Sequence, residues 1–156
     1  MKSNIWKMYV IRFLRSFHFI SGVLVIFLTD WGQMSISQAL FLQSLFSIFI
    51  VFLEIPSGAI ADYFGRKQTL VIASLIVAAA SIVYSSYPLM LLFIVGEFLF
   101  AFSNALFSGT TEAIVYDTLK QAGEEEKSKK IFGRLGTFEI TAIMTAAPMG
   151  SLIAHY

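Results

Sequence analysis

Residues 38–61 read QALFLQSLFSIFIVFLEIPSGAIA, from Gln38 to Ala61: twenty-four positions with one charged side chain, Glu54. A helix rises 1.5 Å per residue, so the stretch is about 36 Å long. That exceeds the roughly 30 Å hydrocarbon core of a bilayer. The apolar run is continuous and lacks the alternation of a barrel strand. It reads as one membrane-crossing helix.

Working outward, four more stretches have the same character: 8–29, 69–86, 89–107 and 131–154. The expected fold is all-α, a polytopic bundle of five transmembrane helices forming a single membrane domain over 1–156. Short polar or turn-forming connections separate the spans. They are Trp31-Gly32 to Ser37, the loop 62–68, Ser85-Ser86-Tyr87-Pro88, and a charged loop over 108–130. Composition agrees. Apolar residues make up 57% of the chain and charged residues 13%, about half the charge of an ordinary soluble domain. A soluble chain of 156 residues has no interior large enough to hide so much apolar side chain. The first span carries Arg12, Arg15 and His18, which would interrupt the apolar core of a cleaved signal peptide, so it is read as retained.

Charge distribution sets the expected orientation. All eleven basic residues fall at the N-terminus and the start of the first span (Lys2, Lys7, Arg12, Arg15), in the second-to-third loop (Arg66, Lys67), or in and just after the fourth-to-fifth loop (Lys120, Lys127, Lys129, Lys130, Arg134). The other connections hold none. By the positive-inside rule the N-terminus is cytoplasmic, and the location is the cell membrane. Trp6, Trp31 and Tyr87 fall where interfacial anchors belong. Phe98, Phe100 and Phe102 read as lipid-facing or packing groups.

At the end of the second span the chain runs Glu54-Ile-Pro-Ser-Gly58-Ala-Ile-Ala-Asp62-Tyr63-Phe64-Gly65-Arg66-Lys67. Gly58 would admit a neighbouring helix closely. Gly65 would take the left-handed backbone of a tight turn. Asp62 and Arg66 stand at ion-pair spacing if the helix continues. This stretch resembles the signature loop of the major facilitator superfamily, G-x-x-x-D-[RK]-x-G-[RK]-[RK], which joins that family's second and third helices. Gly58, Asp62, Gly65, Arg66 and Lys67 match, and Tyr63 stands where the family usually has a basic residue. Ser108-Gly109 through Glu112 to Asp117 and Lys120 is similar to the end of the family's fourth helix. The resemblance covers essentially the whole chain and implies about five of twelve helices, the N-terminal portion of the fold. It further implies a conformational latch made of Asp62, Arg66 and Asp117. The other reading of these charges is ordinary interfacial pairing plus a topology signal.

Ionisable groups at bilayer depth are costly and face a cavity or a partner. Counting along the spans puts His18, Glu97 and Glu139 near mid-depth, within about 13–16 Å of a span end. Three such groups on three helices suggest a shared aqueous cavity. In the resembling family the first and fourth helices line it. Arg12, Arg15 and His18 recur at helical spacing on one stripe of the first span. Arg12 is expected to snorkel, and Arg15 to pair with a carboxylate or meet an anionic substrate group. His18 reads equally as a neutral side chain satisfied by a backbone carbonyl. Glu97 would change protonation between conformations in a proton-coupled carrier. It occupies roughly the place of the Arg in the family's R-x-x-x-G-x-G pattern, whose glycines are missing from Phe98 to Ser103.

The functional expectation is therefore a secondary active carrier of a small molecule, with efflux and proton coupling as its finer form. Its partners would be membrane lipid, the transported solute and a facing bundle from a C-terminal half or another copy. On this reading the chain is a fragment or truncated form; the alternative is a non-transporting membrane remnant or partner-binding module. An enzyme is not expected. With no cysteine and two histidines there is no nucleophile–base or metal-ligand set, no cofactor is called for, and the topological placement of the basic residues gives nucleic acid no binding face.

Overall fold

The computed structural model describes the backbone of residues 2–155 and the side chains of 5–153. The described residues are helical nearly throughout, with no strand among them. Five long helices form: α1 (Lys2–Ser16), α2 (Ile36–Phe64), α3 (Arg66–Ser86), α4 (Met90–Gln121) and α5 (Ser128–His155). Three of these, α2, α3 and α4, are long and apolar enough to cross a membrane. At 1.5 Å per residue α3 measures about 31 Å, matching the hydrocarbon core, whereas α2 and α4 run to about 43 and 48 Å and overshoot it.

The helix boundaries have local causes. Ser35 caps α2: its Oγ accepts from the backbone N–H of Gln38, whose side-chain oxygen in turn accepts from the Ser35 N–H at 2.9 Å. This reciprocal pair satisfies orphan donors of the first turn. Gly65 alone separates α2 from α3, with φ 86° and ψ 146°. Its positive φ was expected, but the extended ψ places it in a region nearly reserved for glycine rather than in a left-handed helical turn. The expected loop 62–68 is therefore one residue wide. Between α3 and α4, extended Tyr87 precedes Pro88, and proline disfavours helix for the residue before it. Helix α4 continues to Gln121, so most of the expected charged loop over 108–130 is helical. It closes at Gly123, φ 63°, with Glu124 N–H donating to the Leu119 carbonyl and Gly123 N–H to that of Lys120. This is the paired closure that a left-handed glycine permits.

The first expected span, 8–29, is not one helix. The chain leaves α1 at Ser16 and is extended at His18 (φ −120°, ψ 129°). It then makes a tight 3₁₀ turn at Phe19–Gly22, a short helical turn at Leu24–Ile26 and a wide π-type turn at Phe27–Trp31.

The chain divides into two compact bodies, residues 1–24 with 112–156 and residues 25–111. In the first, Met8 and Tyr9 of α1, Val115 and Leu119 from the end of α4, and Ile131 and Leu135 of α5 form a buried cluster. Tyr9 stacks on Phe138, ring centroids 5.1 Å apart. The 19–22 turn lies directly on α5. A Cβ on Gly22 would collide with the backbone of Ala147, and one on Gly150 with the backbone of Phe19. These two glycines permit the close approach: an ordinary side chain at either position would hold the backbones apart.

In the second body α2 packs on α3, and Ala73 and Ala80 of α3 and Ala101 and Ala105 of α4 are buried. Ser103 donates to the Ala73 carbonyl at 2.8 Å, an interhelical bond of the kind that joins helices in lipid. An aromatic cluster of Phe27, Trp31, Tyr84, Phe93 and Phe100 closes one end.

Candidate functional site

Glu97 lies eight positions into α4 and is 4% exposed. Its Oε1 accepts a hydrogen bond from the Tyr84 hydroxyl of α3 at 2.9 Å and another from the Gln43 side-chain amide of α2 at 3.2 Å. Three helices thus converge on one carboxyl oxygen. The Tyr84 ring is fixed from three sides, by Phe93 at 5.0 Å, Phe100 at 5.6 Å and Phe27 at 6.0 Å. The residue before Glu97 is also required. A Cβ on Gly96 would sit 2.5 Å from Cδ2 of Tyr84, so only glycine lets the ring reach over to its acceptor.

In a medium with little water, a buried carboxyl without partners is among the costliest groups a helix can carry. Here the cost is offset by two directed donors, and the arrangement couples the carboxyl to the relative position of α2, α3 and α4. Sequence reasoning singled out Glu97 but neither Tyr84 nor Gln43. Their separations, 13 and 54 residues, hide the contact, although a glutamine inside a 24-residue apolar run was a signal for a buried polar partner.

In the first body, Arg12 of α1 and Glu139 of α5 form an ion pair. Nε and a terminal guanidinium nitrogen of Arg12 both reach Oε2 of Glu139 at 2.9 Å. Arg12 therefore does not simply snorkel; it crosslinks two helices. Arg15, one turn further along α1 and half-buried, lies within electrostatic range of both Arg12 and Glu139. His18 is exposed and takes no part in this pair. Its carbonyl accepts from the Ser21 hydroxyl at 3.0 Å.

The signature-loop residues take the following positions. Asp62 and Arg66 pair at 3.3 Å across Gly65, and Lys67 is exposed beside them. The close approach expected at Gly58 is not made, since a Cβ there meets nothing within 4 Å. The glycine contact lies elsewhere: a Cβ on Gly109 of α4 would touch Ser57 Oγ at 3.7 Å. Asp117 is exposed on the last part of α4, in the first body.

A family model described as Major Facilitator Superfamily matches residues 6–156. No curated protein and no solved structure gives a significant match.

Proposed function

Because this chain belongs to the major facilitator superfamily, we propose that it is a secondary active carrier that exports a small molecule across the cell membrane, coupled to protons through Glu97. Members of the family are membrane transporters. Folds of this type rock around a midplane site, and the apolar helices α2, α3 and α4 place the chain in a membrane. The distribution of all eleven basic residues supports a cytoplasmic N-terminus.

The observation that carries the coupling assignment is the convergence of Tyr84 and Gln43 on Glu97 Oε1. A motion of α4 against α2 or α3 that breaks either hydrogen bond changes how the carboxyl holds its proton. Proton occupancy and helix arrangement are thereby linked, as a proton-coupled cycle requires. The Asp62–Arg66 pair supports reading Gly58, Asp62, Gly65, Arg66 and Lys67 as the latch region of one conformation.

The test is flux. Vesicles containing the carrier and a trapped pH-sensitive dye are offered a panel of small organic solutes one at a time. A solute that is carried moves protons, and Glu97→Gln retains solute binding while losing the proton signal. An unchanged signal in that variant removes Glu97 from coupling.

A further inference from the structure

The contact between α2 and α4 at Glu97 has a counterpart three turns away in which no bond is made. Gln43 of α2 and Glu97 of α4 meet at 3.2 Å. Eleven residues further along each helix stand Glu54 and Ser108. Eleven residues are close to three full turns, so Glu54 shares the face of Gln43, and Ser108 the face of Glu97. The two helices are still together at this level. Phe49 meets Phe98 with ring centroids 5.4 Å apart, and a Cβ on Gly109 would touch Ser57 Oγ. These contacts advance in the same order along both helices, which therefore run parallel. Asn104 lies one turn before Ser108 on its stripe, and Thr111 one turn after it. Glu54, Asn104 and Ser108 have no side-chain partner among the described residues. The Thr111 hydroxyl is fully buried and has none either. Elsewhere in the chain, helical hydroxyls return to a carbonyl of the preceding turn, as at Ser47, Ser74 and Thr118. Glu54 lies seven residues before Ala61, about 10 Å inside the end of the apolar stretch. An ionisable group at such depth faces a partner or a cavity.

We propose that Glu54, Asn104, Ser108 and Thr111 form a binding site for a monovalent cation, an alkali ion or the ammonium group of a small amine. The four supply oxygens of three kinds: a carboxylate, an amide carbonyl and two hydroxyls. Hard cations are held by oxygen sets of this composition. An ammonium group has three N–H donors, enough to engage the carboxylate and two neutral oxygens together. An anion would be repelled by Glu54, and an uncharged solute would leave its carboxylate without a counter-charge in a medium that penalises this. The site lies about 16 Å along the helices from Glu97. It goes beyond the carrier reading, because binding here is a property of α2 and α4 whether or not the cation is moved across the membrane.

The experiment uses the full chain in nanodiscs of phosphatidylcholine, with radiolabelled sodium and radiolabelled methylammonium as probes and choline chloride holding the ionic strength. Saturable binding of at least one probe is expected. Glu54→Gln weakens it at least about tenfold, and Ser108→Ala and Thr111→Val each weaken it severalfold. Thr110→Val supplies the contrast. Its hydroxyl is as buried and as unpartnered as that of Thr111, but it lies on the face of Ser103, which is turned to α3, so binding should be unchanged. Circular dichroism identifies any variant that fails to fold; if Glu54→Gln does, Ser108→Ala against Thr110→Val carries the comparison. Sodium binding that depends on Glu54 assigns the site to an alkali ion, and binding of methylammonium without sodium assigns it to an amine. Loss with Glu54→Gln while the Ser108 and Thr111 variants bind as wild type means a carboxylate acting alone, and overturns the site. Equal binding by wild type and Glu54→Gln, or no saturable binding of either probe, also overturns it. Binding is read without flux, so loss of the proton-coupled reading at Glu97 leaves these outcomes standing, and the two ideas fail separately.

Discussion

At the scale of single residues, the account turns on how a carboxyl inside an apolar helix is kept. Tyr84→Phe deletes a buried donor and leaves Glu97 one hydrogen bond short, so thermal unfolding in detergent should show a loss of about 1–3 kcal/mol. Gly96→Ala should reproduce much of that loss with both partners' side chains unaltered, because the new methyl group displaces the Tyr84 ring. A destabilisation by Tyr84→Phe with none by Gly96→Ala would mean that the ring has room to move aside. The sequence made Glu97 legible because a charge in an apolar run stands out on its own. It left Tyr84 and Gln43 unread because what identifies them is the acceptor they meet in space. Arg12 and Arg15 show the same limit. Their shared stripe followed from helical spacing, but which of them grips Glu139 depends on where α5 sits, 127 residues away in sequence.

At the scale of elements, glycines give the sharpest contrasts. Gly65 occupies a backbone region nearly closed to other residues, and nothing surrounds its Cβ position. Gly65→Ala should therefore cost about 1–3 kcal/mol from backbone strain alone. Gly58, in helical conformation with open space around it, should accept alanine at no cost or with a gain of up to about 1 kcal/mol. Chemical or thermal unfolding of the two variants side by side checks the pair, and equal effects would contradict the assigned backbone states. Gly22→Leu and Gly150→Leu each drive a side chain into facing backbone. Each should loosen the 19–22 turn from α5, with at least about 1–3 kcal/mol lost and faster proteolysis near His18. The break in the first span was not legible from its own residues, because the apolar pattern runs straight through it. The turn that follows it lies against α5 through Gly22, and a one-dimensional pattern does not register that contact. By contrast α2, α3 and α4 were legible because continuous apolar length is itself the physical criterion for spanning a bilayer. The unexpected length of α4 past Phe107 arose because hydropathy stops at the membrane edge while backbone hydrogen bonding continues into water.

For the whole molecule, the claims are that lipid is the medium of these helices and, as proposed above, that the connections carrying basic residues lie on the cytoplasmic side. The family match over residues 6–156 and the three apolar helices support the first claim, and the second assigns α3 a direction through the bilayer. The chain has no cysteine, so a single introduced thiol can be read without background. The most direct measurement is labelling of intact cells by a membrane-impermeant maleimide, comparing Lys67→Cys with Tyr87→Cys at the two ends of α3, where both side chains are exposed. Tyr87→Cys is expected to react on intact cells, and Lys67→Cys only after the membrane is opened. Labelling of Lys67→Cys from outside, or labelling of both on intact cells, would contradict that orientation.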